Sequence, residues 1–442
     1  MTVGGRTRSV GAGRALRYWN FRLFFFGQLI SVTGTWMQTL ALGWLMGTLV
    51  GWDRAVIYIG LLGIVQFLPM LILGLFGGII ADIWPKRRTL VATQTAAGVL
   101  ALVLGALVYF NVVAVWHVYV LAFLLGIVNA VDMPTRQSFV PEMVGREGVV
   151  NAVGLNSAVF NSARIIGPAI AGILIGVVGT AACFVLNGLS YGAVVIGLLL
   201  MRDSELMTEV RLAMPRSISA VRGNLAEGLV YVRHTPLVLM TIVVVGFVST
   251  FGMNFNVVLP ILAADVLKVG SVGYGVLFAA MGAGALTSAL IVAGLSRPHV
   301  RLLIVGGMLL GVSELVLAAN TSFAVALVAV FCCGFGAIAV SASANSLVQL
   351  AVPGPLRGRV LSVYLTVFVG STPIGSGMTG GIGGLFGTPV AIAVGGGVAL
   401  LSELVAAAAI LAGKVPSMGR GRGATPIPVD ASLEVPQAGS TD

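Results

Sequence analysis

Twelve long apolar runs alternate with short polar connections, at 21–49, 56–81, 89–110, 115–134, 151–177, 180–200, 237–263, 271–295, 301–319, 323–350, 360–386 and 389–412. Inside a bilayer a backbone can satisfy its N–H and C=O groups only internally, and about 20 apolar residues in helical form cross the hydrocarbon layer. Each run therefore predicts a membrane-spanning helix, and the whole pattern predicts an all-α polytopic membrane protein.

Polar positions recur inside some of these runs. Gln28, Ser31, Thr35 and Gln38 follow one another at steps of three or four in the first run, which places them on one helical face. Asn254 and Asn256 stand in the seventh run, and Ser341, Asn345 and Gln349 lie along one side of the tenth. Two readings fit such rows: a polar pathway for a solute, or hydrogen bonding between helices. Phe24, Phe25, Phe26, Trp36, Met37, Phe251, Met253 and Phe255 are the large apolar side chains available to an amphipathic solute, with Trp36 and Met37 flanked by the polar row of the first run.

Composition changes the picture little. Hydrophobic residues make up 58% of 442, charged residues 9%, and mean hydropathy is +1.04, too little polar surface for a water-soluble globule. The formal charge of +10 does not point to nucleic acid, because the basic residues sit in short connections and on no amphipathic face. Placing the N-terminus in the cytoplasm puts the basic connections, such as Lys86, Arg87 and Arg88 or Arg357 and Arg359, on the inside. Only Arg54 and Lys268 then fall in outer connections, and Arg164 lies within a run. That bias orients the chain, with both termini cytoplasmic in an inner membrane. The first apolar stretch exceeds the h-region of a cleaved signal peptide and is expected to be retained.

The expected organisation is a basic arm at 1–20, a six-helix half at 21–201, a central cytoplasmic loop at 202–236, a second six-helix half at 237–412 and a disordered tail at 413–442, rich in Gly, Pro and Ser. A repeat supports the division. Gln137-Ser138-Phe139-Val140-Pro141 near the fourth run matches Gln349-Leu350-Ala351-Val352-Pro353 near the tenth, each followed by arginine. Parallel halves related by an axis along the membrane normal are an arrangement of transporters.

Little else carries chemistry. Cys183, Cys332 and Cys333, with His117, His234 and His299, form neither a disulfide framework nor a metal motif, so no cofactor is expected. There is no phosphate-cradling loop for ATP and no constellation of nucleophile, base and metal. The buried charges are costlier to ignore: an arginine at mid-bilayer costs about 2.5–3.5 kcal/mol on insertion scales, so Arg164, a coupling candidate, should face protein or a wet cavity and pair with an acidic group or an electronegative part of a substrate. Asp132, Glu314 and Glu403 are the acids within or at the ends of runs. Gly74 and Gly78, Gly172 and Gly176, and Gly377 and Gly381 have small-xxx-small spacing, and Gly167-Pro168 reads as an interruption of the fifth run and a hinge.

Two stretches carry a family resemblance. Gly77-Gly78-Ile79-Ile80-Ala81-Asp82-Ile83-Trp84-Pro85-Lys86-Arg87-Arg88 resembles the loop signature of the major facilitator superfamily, with Ile83 where Arg is common and Pro85 in place of the turn Gly. Asn129-Ala130-Val131-Asp132-Met133-Pro134-Thr135-Arg136-Gln137-Ser138-Phe139-Val140-Pro141-Glu142, followed by Asn151-Ala152, Asn156-Ser157, Asn161 and Arg164-Ile165-Ile166-Gly167-Pro168, resembles the branch with macrolide efflux pumps and the enterobactin exporter. Trp36-Met37-Gln38 and Arg357-Gly358-Arg359-Val360 fit the same branch.

The resemblance implies twelve helices in two parallel six-helix halves, with the first, fourth, seventh and tenth lining a cavity. It implies a conformational latch at Gly78, Asp82, Lys86, Arg87 and Arg88, the basic trio alternatively serving only as a topological anchor. Coupling then falls to Asp132 first, on a lining helix though four residues from Arg136, then Glu403 and Glu314 on peripheral helices. The expected activity is proton-coupled export of amphipathic small molecules, drugs or siderophores, by alternating access. Lipid or lysolipid translocation is the alternative; a channel or a membrane enzyme fits less well. A monomer in the bilayer, without nucleic acid, is the expected state.

Overall fold

The computed structural model describes residues 13–207, 218–295 and 299–415, apart from the side chains of 75–82, 146, 218–222, 224 and 225. Most of the basic arm and of the tail therefore lies outside the described residues, and so do the side-chain positions of Gly78 and Asp82 in the expected latch.

The chain folds into helices throughout. First come α1 (Trp19–Val50), α2 (Trp52–Ile83) and α3 (Lys86–Tyr109). A helical run over Val115–Val178 is then divided at Gly145, φ 65° and ψ 171°, into α4 (Val115–Gly145) and α5 (Glu147–Val178). After α6 (Thr180–Leu199) and a short connecting helix α7 (Ile218–His234) come α8 (Pro236–Val266), α9 (Gly270–Gly294), α10 (Val300–Ala319), α11 (Phe323–Ala351), α12 (Gly354–Phe386) and α13 (Thr388–Leu411).

Among the described residues, eleven of these helices are long and apolar enough to cross a membrane. The twelfth long helix is α1: its 32 residues suffice in length, and the row of Gln, Ser and Thr lowers its apolarity.

Three boundaries differ from the sequence expectation. The fourth span does not stop near 134, because Pro134 and Pro141 stay within the helix and the break waits for the left-handed backbone of Gly145. The central connection is not all loop: α7 docks on α12 through the Arg359–Glu227 ion pair and sends its Tyr231 hydroxyl to the Ala351 carbonyl. Third, α8 is not a regular helix. It contains π-turns at Val248–Gly252 and Leu262–Val266, and the Asn254 side chain donates to the Thr250 carbonyl at 2.6 Å, which the local irregularity leaves free.

Within each half the neighbour scheme is the same. In the first, α1 meets α5 and α6, α6 meets α3, α3 meets α4, and α4 meets α2. In the second, α8 meets α12 and α13, α13 meets α10, α10 meets α11, and α11 meets α9. Shifting by six spans converts one set into the other, as two parallel six-helix halves require.

The halves meet through two crossings that the same shift exchanges. In α2·α12, a Cβ on Gly60 would come 2.8 Å from the Gly380 Cα; in α5·α9, a Cβ on Gly172 would come 2.9 Å from the Gly275 Cα. Only a missing side chain permits such approach. Both crossings lie toward the ends opposite the Lys- and Arg-rich connections, called here the far end. Helix α8 shows the same asymmetry: its stretch Phe255–Val266 packs on α1 and α2, whereas Pro236–Gly252, nearer the basic end, packs on α10–α13 of its own half. The halves are thus joined at the far end and part toward the basic end.

Candidate substrate pathway

Helix α5 shows where the gap between the halves ends. At 100° per residue, Val153, Ser157, Phe160, Arg164, Ala171 and Ile175 share one arc of its surface. Val153, Ser157 and Phe160 are exposed, whereas Ala171 and Ile175 are buried, beside the Gly172 and Gly176 that meet α9 of the other half. Arg164 stands at the change, about 21 Å from the far end of the helix at 1.5 Å per residue.

Its guanidinium carbon lies 5.6 Å from the Trp36 ring centroid, and Trp36 meets Phe160 edge-on at 5.6 Å. The Nε is buried without a hydrogen-bond partner, and no acid pairs with Arg164 among the described residues. Pro168 lacks the N–H that would bond the Arg164 carbonyl, and that carbonyl faces Gly282 of α9, where a Cβ would lie 3.0 Å away. Gly167-Pro168 does not interrupt the helix, since the one non-helical residue of the whole run is Gly145. Instead Gly167 lets α1 come close, with a Cβ there falling 2.7 Å from the Thr33 carbonyl oxygen and from the Trp36 Cβ.

The polar row of α1 divides. Arg22, Phe26 and Ile30, four apart and exposed, mark one outer face; Thr35 is exposed on the opposite side. Gln28, Ser31 and Gln38 are buried. The Gln38 Oε1 accepts from Asn187 of α6 at 2.6 Å, the Gln28 Oε1 accepts from Arg136 of α4 at 2.6 Å, and the Thr35 hydroxyl lies 3.4 Å from that of Tyr191. Most of the row is therefore a seam between helices. Trp36 is half-buried beside it and Met37 is buried.

In the second half, Asn254 is consumed by backbone carbonyls while Asn256 is exposed. On α11, Ser341 donates to the Ala337 carbonyl, Gln349 donates to Asn345 at 2.5 Å, and exposure rises from the first of these residues to the last.

The three buried acids differ in their surroundings. Asp132 Oδ1 accepts from Thr93 at 2.7 Å and Gln94 at 2.8 Å, both on α3, and Oδ2 pairs with Arg136. Glu314 of α10 lies against the first π-turn of α8 and against α13, its Oε2 3.5 Å from where a Cβ on Gly252 or Gly395 would stand. Glu403 of α13 fills the space left by Gly307 of α10. Glu314 Oε2 and both Glu403 carboxyl oxygens are buried with no partner.

The basic trio works within the first half. Lys86 pairs with Glu142 at 2.7 Å and donates to the Ser138 carbonyl, tying α3 to α4. Arg87 pairs with Asp203 at 2.5 Å and donates to the Leu198 and Leu199 carbonyls at the C-terminus of α6, where a cation is favoured. Arg88 is exposed. Of the spaced glycines, Gly172, Gly176 and Gly377 face the other half, while Gly74 and Gly381 face open space. Sequence reasoning missed Thr93, Gln94, Asn187 and Tyr191, although a polar group inside an apolar run is the signal that flags them.

The whole arrangement has relatives. Residues 12–426 match the family of transmembrane secretion effectors. The multidrug efflux pump Tap of Mycolicibacterium fortuitum is 29% identical over 80% of this chain and 86% of its own. The enterobactin exporter EntS of Shigella boydii is 23% identical over 86% and 89%. The staphyloferrin A transporter of Staphylococcus aureus is 30% identical over a shorter stretch, 38% of this chain and 42% of that protein. A POT family transporter in complex with 5-aminolevulinic acid shares the fold, with TM-score 0.70 at 12% identity over 88% of this chain and 95% of that one. So does a bacterial homolog of the human lysosomal transporter Spinster, at 0.69 and 14% over 91% and 98%. The named relatives are membrane transporters and not enzymes, and the chain belongs to the transmembrane secretion effector family of the major facilitator superfamily.

Proposed function

We propose that this protein is a secondary active exporter of amphipathic small molecules, driven by protons and working by alternating access across an inner membrane. The observation that carries the reading is the asymmetry between the halves: glycine crossings join them at the far end, and toward the basic end they part below Arg164. Under the positive-inside rule the basic end is cytoplasmic, so this is the conformation that loads solute from the cell or the inner leaflet. Rocking about the crossings opens the other side.

Thr35, Trp36, Phe160, Arg164, Asn256 and Asn345 are the residues we place along the pathway. Gln28, Ser31, Gln38 and Asn254 support it, holding their helices in place. For protons, Asp132 has every oxygen engaged and serves as a fixed structural pair. Glu403 and Glu314 are the free carboxyls, and a carboxyl without a partner inside a span is the simplest carrier of a proton. Similarity to a multidrug pump and to siderophore transporters supports export of drugs or siderophores.

Everted membrane vesicles test this. Energised vesicles should accumulate a fluorescent amphipathic drug saturably, and a protonophore should abolish accumulation. Accumulation that survives the protonophore overturns proton coupling, and non-saturable passage would indicate a channel. Movement of a labelled phospholipid in place of the drug would indicate a lipid translocator.

A further inference from the structure

We infer that Arg164, Trp36 and Phe160 form a binding subsite for the acidic group of an aryl acid, so that the preferred solutes are amphipathic anions. This deepens the exporter reading above and rests on it.

Three observations converge. The first is an unanswered charge. Arg136, in the same half, gives its two terminal nitrogens to Gln28 and Asp132 and leaves only its Nε without a partner; Arg164 donates to no group among the described residues, and its Nε is buried. Among the described residues no acid pairs with it: Asp132 is taken, and Glu314 and Glu403 lie in the seam of α10 and α13 in the other half. The second is position, since Arg164 closes the exposed strip Val153, Ser157 and Phe160 at the depth where the halves come together. A ligand entering from the basic end meets the guanidinium last. The third is the lining, in which the edge-on pair of Trp36 and Phe160 gives an apolar aromatic wall directly beside the cation.

The physical chemistry then selects the ligand. A cation–π contact leaves the planar donor fork empty. A carboxylate or phenolate supplies the missing acceptor, forms charge-assisted bonds that strengthen as water is excluded, and keeps its ring against Trp36 and Phe160. A cationic solute would meet repulsion at the same point. Lysine would replace only part of this, having a point charge where arginine has a fork.

The test uses the purified full-length protein in detergent and two fluorescent probes, 1-pyrenebutyric acid and its neutral methyl ester. The protein should bind the acid at least tenfold more tightly than the ester. Arg164→Gln should bring the acid down to the affinity of the ester while changing ester affinity less than about twofold, and Arg164→Lys should fall between. Ester binding thus reports that the variant is folded. Equal affinities for acid and ester in the unsubstituted protein overturn the subsite, with no variant needed; so does a preference that survives Arg164→Gln. Should Arg164→Gln bind neither probe, Arg164→Lys decides: an acid preference as strong as that of the unsubstituted protein overturns the fork, and a weaker one supports it. Vesicle uptake of the ester separates the two readings. Ester export without acid preference sinks the subsite alone, and intact acid preference without transport of either probe sinks the exporter alone.

Discussion

Asp132 in the first half and Glu403 in the second are buried alike, at 1% and 0% exposure, the one in the seam of α4 with α3 and the other in the seam of α13 with α10. Their surroundings are opposite. Asp132 has an arginine, a threonine and a glutamine on its two oxygens, while Glu403 has a glycine gap and no partner. Glu314, two helical turns farther along α10 than Gly307, repeats the second case. Burial alone therefore does not say what an intramembrane acid does. An acid whose charge is answered in the fold is part of the fold, and one left unanswered is where a role outside the resting fold is to be sought.

Removing Asp132 should have the largest effect. Asp132→Ala strands Arg136 and leaves Thr93 and Gln94 without their acceptor, and breaking a buried pair from one side costs about 3–5 kcal/mol. Thermal unfolding of the detergent-purified protein should show a large loss of stability and of folded yield. A variant as stable as the parent would make Asp132 as expendable to the fold as Glu403.

Substituting the free acids should separate stability from transport. Glu403→Gln and Glu314→Gln keep shape and remove the titratable proton, so melting should shift little, while proton-driven drug accumulation in vesicles falls at least tenfold and downhill efflux persists. Wild-type accumulation in both variants would remove the functional side of the contrast.

The smallest effect is expected at the edge of the second half. The Arg359–Glu227 pair that docks α7 is partly exposed, and such pairs contribute about 0–1 kcal/mol. Arg359→Ala should leave unfolding and transport within that margin. A change as large as that of Asp132→Ala would mean that exposure, too, is a poor guide to the weight of a charge here.

The contrast was half legible in the sequence. Apolar runs alone locate the helices and their count, because the bilayer admits so few alternatives. The buried charges stand out for the same reason. Their partners do not: nothing in the spacing of Asp132 and Thr93 says that α3 turns Thr93 and Gln94 toward it, and Arg164 gives no sign in sequence that its fork stays empty. The row on α1 was visible as a face, but a helical phase cannot say which neighbour that face meets, and α6 took most of it. Pro141 and Pro353 read alike in the repeat, yet the first stays within α4 and the second caps α12, since tertiary packing decides what a helix does with a proline. The π-turns of α8 have no compositional mark at all.

The seam between α1 and α6 has a consequence for how the chain is made. Ribosomes synthesise from the N-terminus, so Gln28, Ser31 and Gln38 emerge well before Asn187, the partner of Gln38, exists. At about 5–20 residues per second, α1 waits roughly 10–30 s for α6. Gln28 gains Arg136 once α4 arrives, but the Gln38 amide has no lasting home in lipid until α6 does, which favours holding α1 beside the insertion machinery until the sixth span arrives. The smallest piece of this protein that can be released into the membrane is then a complete half, which ties the order of biogenesis to the repeat from which the molecule is built.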